Sequence, residues 1–201
     1  MQEIGSFFNS VYANAQGDAQ TIPWARLAPR PLFKQWADST DLEGNGKKAL
    51  QVACGLGDDA EELARRGFAV TAFDISPVAI EWCQQRFPNS SVQYQVADLF
   101  ALPESWQHSF DFILESYTIQ AIPRPMRPQA MSSIARTLAP GGTLLTICRG
   151  TDDINENSMP LPVMREELAV FQQEGLHEVS FEDFSASDTL SARHFRVVYR
   201  A

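Results

Sequence analysis

The chain alternates between short apolar runs and stretches in which apolar residues recur at helical spacing. Ala49, Leu50, Val52, Ala53 and Cys54 form one such run, which stops at Gly55-Leu56-Gly57. Ala60, Leu63 and Ala64 then share one helix face, with Asp58 and Glu61 in the spacing of an N-cap and its N3 partner. Gly67 closes that helix, Phe68 to Phe73 read as a second buried strand, and Asp74 stands at its end. Strand, glycine turn, helix, strand and acid predict a half-unit whose turn cradles a ligand and whose acid meets a ribose hydroxyl.

The same alternation continues to the C-terminus. Ser76-Pro77 opens a helix carrying Val78, Ala79, Trp82, Cys83 and Phe87, and Pro88-Asn89 stops it. Val92, Tyr94 and Val96 make a third strand ending in Ala97-Asp98-Leu99. Phe110 to Leu114 make a fourth, followed by Glu115-Ser116-Tyr117. A helix over about 125–138 ends at Pro140-Gly141-Gly142, and Leu144 to Cys148 form a fifth strand. The polar stretch Arg149 to Pro162 leaves the ligand edge of that strand, a position suited to a lid. After a helix from Val163 to Glu174, strands at Val179 to Phe184 and around Phe195, Val197 and Tyr199 pair antiparallel across a short turn, Ser185 to Ser191.

The N-terminal 46 residues precede the first sheet strand and read as a helical cap or lid. Ile4, Phe7, Phe8, Val11 and Tyr12 share one helix face, and Leu32, Phe33, Trp36 and Ala37 repeat the spacing. Between them Ile22 to Pro31 is too proline-rich for a helix. The expected architecture is a single α/β domain over 1–201. Its core, 47–201, is a seven-stranded, mostly parallel Rossmann-like sheet with helices on both faces and a C-terminal antiparallel hairpin.

Charge narrows the ligand. Gly55 to Ala60 also fits the G-x-G-x-x-G/A dinucleotide fingerprint. Asp58, Asp59, Glu61 and Glu62 crowd the start of the following helix, where they oppose a pyrophosphate but not a sulfonium. S-adenosylmethionine is therefore expected over NAD. An aspartate at the end of the third strand has no part in the dinucleotide fingerprint, whereas Asp98 beside an adenine accepts from its exocyclic amine. Tyr12 and Trp24 offer flat rings that suit a sulfonium in a substrate pocket.

The net charge of −9 with no basic run argues against nucleic-acid binding. Cys54, Cys83 and Cys148 are spaced as neither a metal motif nor C-x-x-C, and read as buried reduced thiols. With no apolar run of transmembrane length and no signal-peptide pattern, a cytoplasmic protein is expected.

Five ordered features, VACGLG, AFDIS, VADLF, FDFILES and LAPGGTLL, together with the terminal hairpin, resemble the class I S-adenosylmethionine-dependent methyltransferases over about Leu42 to Ala201. The resemblance implies a methyltransferase that converts S-adenosylmethionine to S-adenosylhomocysteine while methylating a small molecule. It places cofactor contacts at Gln51, Ala53, Cys54, Gly55, Gly57, Asp74, Ile75, Asp98, Leu99 and Glu115. The family usually has an acid where Gln51 stands and a glycine where Ala53 stands. Pro23, Trp24, Pro29 and Pro31 are similar to the P-W-D-x-G-x-P-x-P segment of thiopurine, thiol, halide and tellurite methyltransferases, with Ala25 and Leu27 replacing its Asp and Gly. That implies a soft nucleophile as acceptor, held by Tyr12, Trp24, Tyr117 and Arg149.

A soft thiolate needs no general base, whereas a hydroxyl or amine does. Glu115 and Tyr117, beyond the fourth strand, are the catalytic candidates. His108 and His177 precede strands and fall at the opposite edge, and His194 alone can approach the ligand edge. The competing readings are an NAD(P)-dependent oxidoreductase and a non-catalytic S-adenosylmethionine-binding protein.

Overall fold

The computed structural model describes residues 2–153, 160–185 and 192–201, and the chain divides into two compact units, Met1–Ala101 and Leu102–Ala201. In the first unit, β1 (Lys48–Val52), β2 (Ala69–Asp74) and β3 (Gln93–Val96) run parallel, with Lys48 beside Ala69 and Thr71 beside Gln93. Parallel registry brings the C-terminal ends of all three strands to one edge. The helices are α1 (Gln2–Asn14), α2 (Pro31–Ser39), α3 (Asp58–Arg65) and α4 (Pro77–Arg86). Ser76 caps α4 as expected, its Oγ accepting from Ala79 N at 3.2 Å, and Pro77 takes the first helical position.

In the second unit, β4 (Phe110–Ser116) and β5 (Leu138–Arg149) are parallel. The strand β7 (His194–Arg200) runs antiparallel to both β5 and β6 (His177–Phe184). Two short helices, α5 (Arg127–Ala135) and α6 (Ala169–Gln173), accompany these strands. The seven strands form one sheet in the order β3-β2-β1-β4-β5-β7-β6, mostly parallel, Rossmann-like, and flanked by helices.

Several boundaries depart from the sequence reading. Pro140-Gly141-Gly142 reads as a turn before a strand, yet β5 already begins at Leu138, which pairs with Phe110; a register irregularity absorbs the turn. The helix expected over about 125–138 is a 3₁₀ turn, Arg124–Met126, followed by α5. The one expected from Val163 to Glu174 is a 3₁₀ turn, Arg165–Leu168, followed by α6. On α1 the predicted apolar face is too wide: Tyr12 is buried but Phe7 is exposed. Ile4's side chain, residues 154–159 of the supposed lid and the turn at 186–191 lie outside the described residues.

The ends of that supposed lid are nevertheless well defined. Gly150 bridges Val163, Thr151 N donates to Val163 O at 3.0 Å, and Val163 N donates to Arg149 O at 2.8 Å. Beneath them Arg127, fully buried, donates to Leu161 O at 2.6 Å, Pro162 O at 3.2 Å and Ile122 O at 3.0 Å, and pairs with Glu167 at 2.8 Å. Four of the five donors of this buried guanidinium thereby meet a carbonyl or the carboxylate.

Candidate functional site

In the first unit the site grows from Asp74, the last residue of β2. Its carboxylate is buried, with Oδ2 accepting from Gly55 N and Oδ1 from Ser76 N, each at 3.0 Å. The acid thus ties the glycine turn after β1 to the turn after β2. Burial raises its pKa to about 6 against the pull of the backbone N–H groups of Ser76, Gly55 and Ile75. Three backbone donors occupy three of a carboxylate's roughly four lone-pair sites, so the brace leaves capacity for about one further donor.

The turn itself is packed from behind by side chains. Gly57, at φ 88°, is the N-cap of α3 and Asp58 its first residue, so the helix starts one position earlier than the capping-box spacing implied. A Cβ on Gly57 would lie 2.6 Å from Tyr94 Oη and 3.1 Å from Cys83 Sγ, so protein side chains already demand glycine there. Tyr94 Oη in turn donates to Glu61 at 2.7 Å. A Cβ on Gly55 would lie 3.2 Å from Tyr12 Oη, which accepts from Trp24 Nε1 at 2.8 Å. Tyr12 and half-buried Trp24, the sequence's substrate candidates, pack with Ile22, Leu56 and Ala79 into one cluster. Asn9 of α1 accepts from Ser76 Oγ at 2.8 Å, which seats the N-terminal helix over the Asp74 turn.

Gln51 and Ala53 respond differently to the family pattern. Gln51 is buried, its Nε2 donates to Val52 O at 3.3 Å, and its Oε1 has no hydrogen-bond partner. A buried amide oxygen without a donor is costly unless something supplies one, and a ligand ammonium group would. Ala53 sits at φ 45°, left-handed backbone that glycine adopts without strain. The glycine usual at this position in the resembled family thus answers to the backbone conformation here. Cys54 is half-buried, Ile75 lies beneath Gly5 of α1, and Leu99 is buried. Asp98 caps its own turn, Oδ1 accepting from Phe100 N at 2.9 Å.

All four acids at the start of α3 have partners. Asp58 pairs with Arg86 at 2.8 Å and Asp59 accepts from Arg30 N at 2.7 Å. Glu61 accepts from Tyr94, and Glu62 pairs with Arg65 at 2.6 Å and Arg66 at 2.8 Å. The arginines offset much of that charge, so repulsion of a pyrophosphate is weaker than the acids alone imply.

In the second unit Glu115, near the end of β4, is fully buried. Its Oε1 accepts from Thr118 N at 2.8 Å and Ile119 N at 3.1 Å, while Oε2 has no partner. Burial raises its pKa to about 7 despite those two donors. Its register neighbour Thr146 carries a second buried, unpartnered oxygen. The turn that Glu115 holds carries Tyr117 at φ 65°, a strained conformation fixed by Tyr117 N donating to Ile147 O at 2.7 Å.

Tyr117 meets His194 edge-on, with ring centroids 5.6 Å apart. His194 Nδ1 lies 2.7 Å from Ala192 O and must carry a proton to bond it. Half-buried Arg149 is the register partner of His194, and its backbone N–H donates to Gln120 Oε1 at 2.6 Å. The fold therefore assembles Glu115, Tyr117, His194 and Arg149 at the ends of β4, β5 and β7. Tyr94, Cys83 and Gln120 escaped the sequence reading of the site. Only Tyr94 carried a signal, the inward alternation of the third strand.

No group of three or more His, Cys, Asp or Glu able to hold a metal occurs among the described residues, and no described helix is long and apolar enough to cross a membrane.

Residues 49–142, just under half of the chain, match the family model of the methyltransferase domain. A probable phthiotriol/phenolphthiotriol dimycocerosates methyltransferase of Mycobacterium ulcerans is 34% identical over 113 residues, 55% of this chain and 42% of that protein. A ubiquinone biosynthesis O-methyltransferase of Pseudomonas fluorescens is 31% identical over 114 residues, 56% of this chain and 48% of that protein. The chain thus spans less than half the length of these two curated relatives. Its fold is that of the N-methyltransferase NodS of Bradyrhizobium japonicum, crystallised with S-adenosylhomocysteine, with a TM-score of 0.74, 18% identity and coverage of 98% of this chain and 97% of that one. Residues 49–142, with their braced glycine turn, are thus similar to a methyltransferase domain, and the chain as a whole shares the fold of a known methyltransferase.

Proposed function

We propose that the chain transfers a methyl group from S-adenosylmethionine to a small-molecule acceptor. The observation that carries this reading is the buried, unpartnered Gln51 Oε1 beside a glycine turn braced by Asp74. When bound, S-adenosylmethionine supplies an electrophilic methyl group on a sulfonium, and its loss leaves S-adenosylhomocysteine. Gln51 accepts from the cofactor's ammonium group, Asp74 from a ribose hydroxyl and Asp98 from the adenine amine, while the turn from Ala53 to Gly57 supports the remainder. Gln51 lacks the charge assistance of a carboxylate, so the ammonium is held less tightly than by an acid.

The acceptor defines two readings. The N-terminal segment around Pro23 and Trp24 supports a soft nucleophile such as a thiol, selenide, telluride or halide. The Tyr117–His194 contact, with Nδ1 protonated toward Ala192 O, supports a hydroxyl or amine acceptor, because the imidazole's Nε2 is then its basic nitrogen. Glu115 acts by holding the turn that presents Tyr117. The methyltransferase-domain match weighs against an oxidoreductase.

Calorimetry with S-adenosylmethionine, S-adenosylhomocysteine and NADH tests the cofactor. Micromolar binding of the adenosyl ligands without NADH is expected, and binding of NADH alone overturns the reading. Methylation assays on thiol, halide, phenol and amine panels then separate the acceptors. Activity on phenols or amines that is lost in His194→Ala favours the base-assisted reading, and activity on thiols or halides unaffected by that change favours the soft one.

A further inference from the structure

Two of the three thiols meet at the cofactor turn. Cys54, on the turn, and Cys83, on α4, are 29 positions apart in a chain without a C-x-x-C motif. Cys83 Sγ donates to Gly55 O at 3.1 Å, and Cys54 Sγ lies 3.9 Å from the same oxygen. Cys54 is half-buried and approachable, whereas Cys83 is fully buried behind it. One carbonyl of the glycine turn thus anchors a thiol pair, one member reachable and one in reserve.

We propose that Cys54 and Cys83 form a redox modification site, closing to a reversible disulfide that disables the cofactor turn. The effect on cofactor affinity rests on the methyltransferase reading above. The oxidant class is a hydroperoxide. Cys54 sulfur attacks the distal peroxide oxygen: an S–O bond forms, the O–O bond breaks, and the leaving alkoxide takes the thiol proton to become an alcohol. Cys83 sulfur then attacks Cys54 sulfur, forming the S–S bond and expelling hydroxide, which leaves as water with the second proton. Two thiols lose two electrons in total, and the peroxide bond gains them.

The geometry gives the consequence. A disulfide holds the two sulfurs about 2.05 Å apart and ties the turn covalently to α4. Cys83 can then no longer donate to Gly55 O, next to the N–H that Asp74 holds. Above Cys83 the space is already tight, since a Cβ on Gly57 would lie 3.1 Å from its sulfur. The hydrogen bond to Cys83, followed by burial, holds the Cys54 thiol well above its ordinary pKa. Oxidation is therefore slow, on the scale of minutes to hours rather than seconds, as thiolate-limited chemistry requires.

The test treats reduced protein with hydrogen peroxide and reads three quantities. Intact mass is expected to fall by about two daltons and peptide mapping to join Cys54 to Cys83, as loss of two hydrogens requires. Affinity for S-adenosylhomocysteine is expected to weaken about tenfold, the scale of one lost hydrogen bond, and to recover with dithiothreitol. Cys83→Ala and Cys83→Ser are both expected to abolish the cross-link and the dithiothreitol-reversible change, so misfolding of one variant leaves the other to decide.

Oxidation that stops at sulfenic or sulfinic acid, or a disulfide that leaves the affinity within twofold, overturns the proposal. Reduced protein that fails to bind S-adenosylhomocysteine, although its thiols cross-link, overturns the cofactor reading instead.

Discussion

Asp74 and Glu115 are the same device built twice. Each is a buried acid at the end of a parallel strand, and each holds backbone N–H groups of a turn that the proposed chemistry needs. They differ in what remains. Asp74 spreads its load over both oxygens and has a pKa near 6, whereas Glu115 loads one oxygen, leaves the other without a partner, and has a pKa near 7. In both, burial raises the pKa against the backbone donors, and the two differ in where those donors sit rather than in the size of the rise. A carboxylate at a strand end can thus serve a ligand only to the extent that its own turns leave it capacity.

The sharpest way to break the comparison is truncation. Asp74→Ala removes the brace between the glycine turn and the α4 cap along with the ribose acceptor. Its expected result is a loss of S-adenosylhomocysteine affinity of 100-fold or more, about 3 kcal/mol for charged hydrogen bonds. Glu115→Ala, which disturbs only the Tyr117 turn, is expected to leave that affinity within about fivefold while lowering turnover. Titration calorimetry on both variants decides it, and equal losses of affinity would erase the distinction.

The second test is pH. Both acids have folded pKa values above their ordinary ones of 3.8 and 4.5, so the folded state binds more protons than the unfolded state in between. Stability from each group is therefore complete below its ordinary value and is lost as pH rises through its folded value. For Asp74 the window runs from about pH 4 to 6, and for Glu115 from about pH 4.5 to 7. The loss is on the order of 3 kcal/mol each at about 1.4 kcal/mol per unit. Glu115→Gln is expected to flatten the upper part of the urea-midpoint profile and Asp74→Asn the lower part. A profile that Glu115→Gln does not change would place the high pKa elsewhere.

The smallest effect belongs to the strained residue beside Asp74's turn. Ala53→Gly relieves a left-handed alanine and is expected to add about 1 kcal/mol, offset in part by the greater freedom of glycine in the unfolded chain. That corresponds to a rise in Tm of about 2–4 °C for a chain of this size. A fall in Tm would mean that the methyl group's packing outweighs the strain.

The same contrast marks what the sequence could reveal. β1, the glycine turn, β2 and Asp74 were legible because apolar runs, a turn and an acid follow one another within one short stretch of chain, where periodicity speaks directly. The cap of α3 was misread because Asp58 and Glu61 satisfy the capping spacing, while Arg86 and Tyr94, distant in sequence, claim their carboxylates. Glu115 could be placed at the ligand edge, yet nothing local foretold that its own turn would capture one oxygen. Trp24 was read as a pocket aromatic, whereas its bond to Tyr12 had no signal in the sequence. Cys54 and Cys83 looked like unrelated thiols because only the crossing of α4 behind the turn brings them together.

The buried Arg127 has a bearing on how such a chain diversifies. By fixing the Leu161 and Pro162 carbonyls, with Gly150 bridged to Val163, it clamps the segment between Thr151 and Val163 at both ends. Once its ends are clamped, doubling a segment's length costs only about 0.6 kcal/mol in closure entropy. Insertions, deletions and wholesale replacement there are thereby uncoupled from the integrity of the sheet.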